Sequence, residues 1–293
     1  MNVLRRRVLL GGLLGLFGVA PVAVPAASRS GRVISVGGSV TETVFALGAA
    51  ERLVGVDTSS IFPEAARSLP QVGYQRVLSA EGILSLQPTL LLADEQAGPA
   101  SVITQIRAAG LPVDTVPSAR SREEVVERIH LIGQSLHRDA AAQALAGAVD
   151  QRLEAVEQAL AHQDQRPRVI LLLAHGRGSP LAAGRDTQGE AMIRMAGGQN
   201  ALHGFRGYKP VSPEAVVAAA PEVVVLPEQS VEALGGMDAA LAASGLDATP
   251  AARHGRVVVL DMLYLLGMGP RTGEAVTELA LAFHPALRPG RIP

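Results

Sequence analysis

Residues 73 to 79 read GYQRVLS, and Tyr74 in that string is one of three tyrosines in a chain of 293 residues that has neither tryptophan nor cysteine. A phenol between a glycine and the nearby guanidinium of Arg76 reads in two ways. It is a packed or surface aromatic, or it is an oxygen donor displayed in a loop, with Arg76 favouring its ionised form or meeting an anionic group. The residues alone leave both open. Without cysteine there are no disulfides and no thiolate ligands, so any metal is held by oxygen or nitrogen. His175 is the second candidate donor, because it follows the aliphatic run Val169 to Leu173, and a neutral imidazole is a good ligand. A solvated loop histidine is the other reading. Gly176, Gly178 and Gly184 around it permit close backbone approach to a ligand, although loop flexibility also accounts for them. His130, His137, His162, His203, His254 and His284 have no ligand spacing.

Two carboxylates stand in equivalent places. SAEGILSLQPTLLLA (Ser79 to Ala93) is echoed by SPEAVVAAAPEVVVLP (Ser212 to Pro227). In each, Ser-x-Glu opens a short helix, a proline lies seven residues after the glutamate, and an aliphatic run makes a buried strand. Upstream, RVISVGGSVTETV from Arg32 and RVILLLAHGRGSPLAAGRDTQGEA from Arg168 both run from strand through glycine turn to helix, with Ser39-x-x-Glu42 and Thr187-x-x-Glu190 as capping boxes. Arg32 to Glu81 spans 49 positions and Arg168 to Glu214 spans 46, so the chain holds two related α/β lobes. Continuous aliphatic strands alternating with helices predict mostly parallel sheets covered on both faces. Between the lobes, Ser121 to Ala161 has helical apolar spacing and almost no glycine. It predicts a long connecting helix, or two helices broken near Gly133 or His137. The expected organisation is an N-terminal lobe over 28–120, a helical spine over 121–165 and a C-terminal lobe over 166–293.

Hydrophobic residues make up 48% and charged residues 18%, enough for filled cores, and the net charge of −1 with a pI near 6.7 provides no field for nucleic acid or an anionic membrane. The first residues, MNVLRRRVLLGGLLGLFGVAPVAVPAASRS, differ in kind. Three arginines, an apolar run and small residues at Ala26 and Ala27 predict a cleavable signal peptide over 1–27, with a twin-arginine route compatible. The apolar run is shorter than the ~20 residues that span a bilayer.

The strings QVGYQRVLSAEGILSLQPTLLLA, SPLAAGRDT and TPAARHGRVVVLDMLYLLGMGPR are similar to the haem-binding branch of the substrate-binding proteins of bacterial ABC importers. This class, with lobes joined by a rigid helix, serves vitamin B12, siderophores and haem. The resemblance covers Arg32 to Arg271, and Gly-Tyr-x-Arg-x-Leu-Ser-x-Glu is its most specific part. It implies a periplasmic, monomeric iron-uptake protein rather than an enzyme, carrying ferric haem as cargo. Tyr74 becomes the iron ligand, in accord with the preference of a hard ferric ion for an anionic oxygen. His175 becomes a second ligand, to the same haem or a stacked one. Arg76, Arg177 and Tyr264 become further cargo contacts, with Tyr208, Arg206 and Lys209 nearby. Glu81 and Glu214 become docking points for the two halves of an inner-membrane permease, and an upstream haem receptor is a further implied partner. Cobalamin or a ferric siderophore are alternative cargoes. An exported cleft enzyme built on His175, Ser179 and Asp186 is a third reading, disfavoured by the lack of Gly-x-Ser-x-Gly.

Overall fold

The computed structural model describes residues 31–174 and 179–287. The signal peptide expected over 1–27 lies outside them.

The first lobe begins with β1 (Val33–Val36), four aliphatic or small residues buried on both faces, and α1 (Gly38–Ala46). β2 (Leu53–Val56) follows, then a hairpin of β3 (Gly73–Tyr74) and β4 (Val77–Leu78), then α2 (Ala80–Ser85) and β5 (Leu90–Asp94). α3 (Ala100–Ala108), β6 (Val113–Val116) and α4 (Arg122–Ser135) complete it. The sheet runs β2-β1-β5-β6, every pair parallel. Ile34, Val36, Leu91 and Ala93 face Ile83 and Ile106 of α2 and α3 on one side; Val33, Val40 and Leu92 join α1 and α4 on the other.

After α5 (Asp139–Leu160), the second lobe repeats the plan. β7 (Arg168–Leu173), β8 (Leu181–Ala183), α6 (Gln188–Met195), β9 (Gln199–Asn200), β10 (Tyr208–Pro210) and α7 (Pro213–Ala219) come first. β11 (Val223–Pro227), α8 (Glu228–Ala233), α9 (Met237–Ala243), α10 (Pro250–Arg253), β12 (Val257–Leu260), α11 (Met262–Leu266) and α12 (Thr272–Phe283) follow. β9, β7, β11 and β12 are parallel, while β8 and β10 add antiparallel strands on the other flank.

The segment expected as one spine folds as two helices. α4 ends at Ser135, His137 adopts the left-handed conformation with φ 53°, and α5 starts at Asp139, whose carboxylate suits a helix N-terminus. The helices pack closely, since a Cβ on Gly133 would stand 2.3 Å from that of Ala142. Of the two, α5 spans both lobes: Ala142 meets α4, Arg152 lies against Gly273 of α12, and Leu160 against Gly197. Its 22 residues give a strut of about 33 Å.

The Ser39–Glu42 capping box does not form. α1 begins earlier, at a glycine N-cap (Gly37, φ 104°) with no side-chain cap, which leaves both side chains free for other partners. Thr187, in contrast, caps α6 by accepting from the Glu190 N–H at 3.0 Å.

Candidate functional site

Tyr74 stands on a hairpin strand rather than in an open loop. β3 and β4 pair Gly73 with Leu78 and Tyr74 with Val77, so Gln75 and Arg76 form the turn. Gly73 has φ 102°, a conformation that suits glycine. The ribbon is fastened at three points: Thr58 N–H donates to Gly73 O at 2.9 Å, Gly98 N–H to Gln75 O at 2.8 Å, and Leu78 N–H to Gly98 O at 2.9 Å. Held this way, Tyr74 remains 46% exposed. Arg76 at the tip donates to the Gln96 side-chain oxygen.

Tyr74, Gln75 and Arg76 line one wall of a cleft of about 480 Å³, within the range of small-molecule sites. The same wall includes Gly37, Gly38, Ser39 and Ser59. The opposite wall belongs to the second lobe: Leu173, Leu181, Gln188, Tyr208, Gln229 and the α11 residues Met262, Leu263 and Leu266. Among the described lining residues Arg76 is the sole charged side chain, set among aliphatics, two phenols and four glutamines (Gln75, Gln96, Gln188, Gln229). Such a cavity suits a large, mostly apolar ligand with a small anionic part.

Support behind the first wall comes from Asp57, which is fully buried. One carboxylate oxygen accepts from Gly37 N–H at 2.8 Å and the Ser60 hydroxyl at 2.9 Å; the other accepts from Ser59 N–H at 2.9 Å and the Ser59 hydroxyl at 2.6 Å. Ser59 Oγ in turn accepts from Gly38 N–H at 3.0 Å. Arg128, 3% exposed, pairs with Asp94 at 2.8 Å and donates to Ser39 Oγ at 2.8 Å.

The lobes meet at a seam thinned by glycine. A Cβ on Gly38 would lie 2.8 Å from Leu263 of α11, and one on Gly269 would lie 3.2 Å from Ser39. Beside it, Arg271 closes a two-pronged ion pair with Glu42, Nε to Oε1 at 2.8 Å and Nη2 to Oε2 at 2.9 Å. Its guanidinium also stacks 3.7 Å from the Phe62 ring centroid.

The other expected residues fall as follows. Tyr264 does not line the cleft. In the short α11, Met262, Leu263 and Leu266 share the cleft face, and Tyr264, about 200° round the helix from Met262, turns toward α12. Burial, with Glu278 and Glu274 beside it, pushes its phenol up to about 12, and Arg271 is 5.1 Å from its ring. His175 and Arg177 lie outside the described residues, although their neighbours Leu173 and Leu181 both line the second wall. Arg206 pairs with Asp186, and Lys209 sits over the Phe205 ring at 5.8 Å. Glu81 and Glu214 occupy equivalent, exposed first-turn positions of α2 and α7, with Ser79 and Ser212 capping each helix at 3.3 Å. The Ser212 hydroxyl holds the Glu214 carboxyl below its usual range. Among the described residues no group of three or more His, Asp or Glu is arranged to hold a metal ion. Asp57 and the α11 aliphatics escaped the sequence reading; MLYLLG held the only signal, a one-turn apolar face.

Two α/β lobes bridged by a helix, with a ligand-sized cleft between them, define a bilobed binding protein. Residues 33–263 match the periplasmic binding protein family, and the chain belongs to it. It is similar to the periplasmic heme-binding protein RhuT from Roseiflexus sp. RS-1 in its apo form, at 43% identity and a TM-score of 0.84, covering 88% of this chain and 99% of that one. The periplasmic heme-binding protein BhuT in complex with two hemes matches at 46% identity and a TM-score of 0.82, with the same coverage. The cobalamin-binding protein of Halobacterium salinarum is 31% identical over 280 residues, covering 90% of this chain and 74% of that one.

Proposed function

We propose that the protein is an exported haem carrier that captures ferric haem in the interlobe cleft through Tyr74 and delivers it to an ABC-type permease in the inner membrane. The observation that carries this reading is Tyr74 itself: a half-exposed phenol, fixed on a fastened hairpin, facing a cleft whose sole charged lining side chain among the described residues is Arg76. A phenol must lose its proton to ligate iron, and the ferric ion itself favours that loss. Arg76 meets the phenolate or a propionate. His175, with Arg177 beside it, supplies the second lobe's donor, to the same iron or to a second haem as in a complex of the BhuT kind. The heme-binding relatives, at up to 46% identity over nearly their whole length, support haem over cobalamin.

Glu81 and Glu214, one per lobe and equivalently exposed, dock the monomer on two related permease surfaces. The mature chain works in the periplasm after removal of residues 1–27. Titration of the purified protein with haemin tests the cargo. The expected spectrum carries a tyrosinate-to-iron charge-transfer band, lost in Tyr74→Phe. Tight binding of cobalamin with no haemin spectrum would move the protein to the B12 branch.

A further inference from the structure

The string around Tyr74 has a counterpart in the second lobe. Gly73-Tyr74-Gln-Arg-Val-Leu-Ser-Ala-Glu81 aligns, with one residue fewer, on Gly207-Tyr208-Lys-Pro-Val-Ser-Pro-Glu214. The backbone follows the sequence. Gly73 and Gly207 both have positive φ, 102° and 76°, each tyrosine begins or ends a short strand, and each string finishes in a serine-capped helix. Both tyrosines line the cleft, one from each wall.

Their surroundings differ. No hydrogen bond within the described residues reaches the Tyr74 hydroxyl, whereas the Tyr208 oxygen accepts the Gly189 N–H in the first turn of α6, at 3.2 Å. Tyr208 is also the more buried, and burial raises its phenol, with the Gly189 N–H, the Thr187 side chain and, least, the charge of Arg76 from the opposite wall pulling the other way. A phenol that keeps its proton is a donor rather than an iron ligand. Arg76, the single lining charge among the described residues, therefore has a neutral phenol on the wall opposite.

We propose that Tyr208 is a second cargo-binding phenol that, with Arg76, grips one carboxylate of the cargo between the lobes. The duplicated strings have diverged in role: Tyr74 serves the iron and Tyr208 the anionic edge. The bridged carboxylate ties the two walls together and slows release. This inference rests on the haem reading, and a wild type that takes up no haemin would end that reading before Tyr208 is tested.

The experiment compares haemin with haemin dimethyl ester, whose carboxylates are blocked, in wild type and Tyr208→Phe. Dissociation is followed into an apomyoglobin trap. For haemin, Tyr208→Phe should release about ten- to a hundredfold faster, the weight of one hydrogen bond to a charged group, with the charge-transfer band from Tyr74 unmoved. For the diester, wild type and variant should release alike. A merely structural role, such as bracing Gly189, would speed release of both ligands equally and would overturn the proposal. So would unchanged haemin release, or a displaced charge-transfer band that made Tyr208 an iron ligand. Arg76→Gln should mimic the Tyr208→Phe pattern, and a double variant no worse than the poorer single would place both residues on one carboxylate; full additivity would separate them.

Discussion

The support beneath the first-lobe wall of the cleft can be weighed through Asp57→Asn, a change that keeps size and shape. The carboxylate is fully buried and accepts four hydrogen bonds, two on each oxygen, and each oxygen serves one backbone N–H (Gly37 or Ser59) and one serine hydroxyl (Ser60 or Ser59). An amide turns one oxygen into an NH2 group. Whichever way it lies, a serine hydroxyl can rotate to accept from it, but the backbone N–H it faces cannot. The variant thus loses one bond to a charged acceptor and strands a buried donor, for a combined cost of about 3 kcal/mol. In a chain of this size that lowers Tm by about 5 °C. Without tryptophan, far-UV circular dichroism is the suitable probe, on the mature chain without haemin. Because Gly37, Gly38 and Ser59 line the cleft, haemin release should also quicken. A Tm within about 2 °C of wild type would refute the reasoning, since it would mean that the backbone donors find acceptors without the carboxylate.

Truncation at the lobe seam by Arg271→Ala leaves the 5%-exposed Glu42 carboxylate without its partner and should cost about 3–5 kcal/mol; urea unfolding checks this, and a loss below about 1 kcal/mol would contradict it. His175→Ala should lower haemin stoichiometry or change spin state if the second lobe supplies a ligand, whereas superimposable titrations would make His175 a loop residue. Glu81→Lys with Glu214→Lys should bind haemin normally yet fail to stimulate ATP hydrolysis by the reconstituted permease, because reversed charges repel where the carboxylates attract; full stimulation would put docking elsewhere. Burial of His284 holds its imidazole below the ordinary value in the folded state, so the unfolded chain takes up that proton first and stability falls as pH drops through about 6.5. His284→Phe should therefore flatten the slope of Tm between pH 7 and 5, and an unchanged slope would assign it to other groups.

Local grammar was readable in the sequence, and long-range pairing was not. Ser79 and Ser212 announce their helices because an N-cap is a contact over three residues. The aliphatic strings of β5 and β11 announce buried parallel strands for the same reason. Ser39 misled: its spacing to Glu42 fits a capping box, but the helix begins at Gly38, and the partners that claim both side chains are Arg128 and Arg271, 89 and 229 residues away. No local pattern encodes those choices. Asp57 was equally silent, since VDTSS reads as an ordinary turn until Gly37 is brought against it. Tyr264 failed on rotation: two positions along a helix from a cleft residue is the far side, and a helix of five residues leaves too little periodicity to tell.

The duplicated strings also bear on how cargo leaves. Tyr74 precedes Glu81 by seven residues and Tyr208 precedes Glu214 by six, so on each lobe the cleft tyrosine and the proposed docking carboxylate belong to one short stretch of chain. In the first lobe only Ser79 and Ala80 separate the tyrosine's hairpin from Glu81. Under the proposed roles, a permease that engages both glutamates holds the two segments that hold the haem. Between them the seam holds the Arg271–Glu42 ion pair and close glycine contacts. Under the proposed roles, docking at α2 and α7 acts on the same two segments that carry the iron bond and the carboxylate bridge.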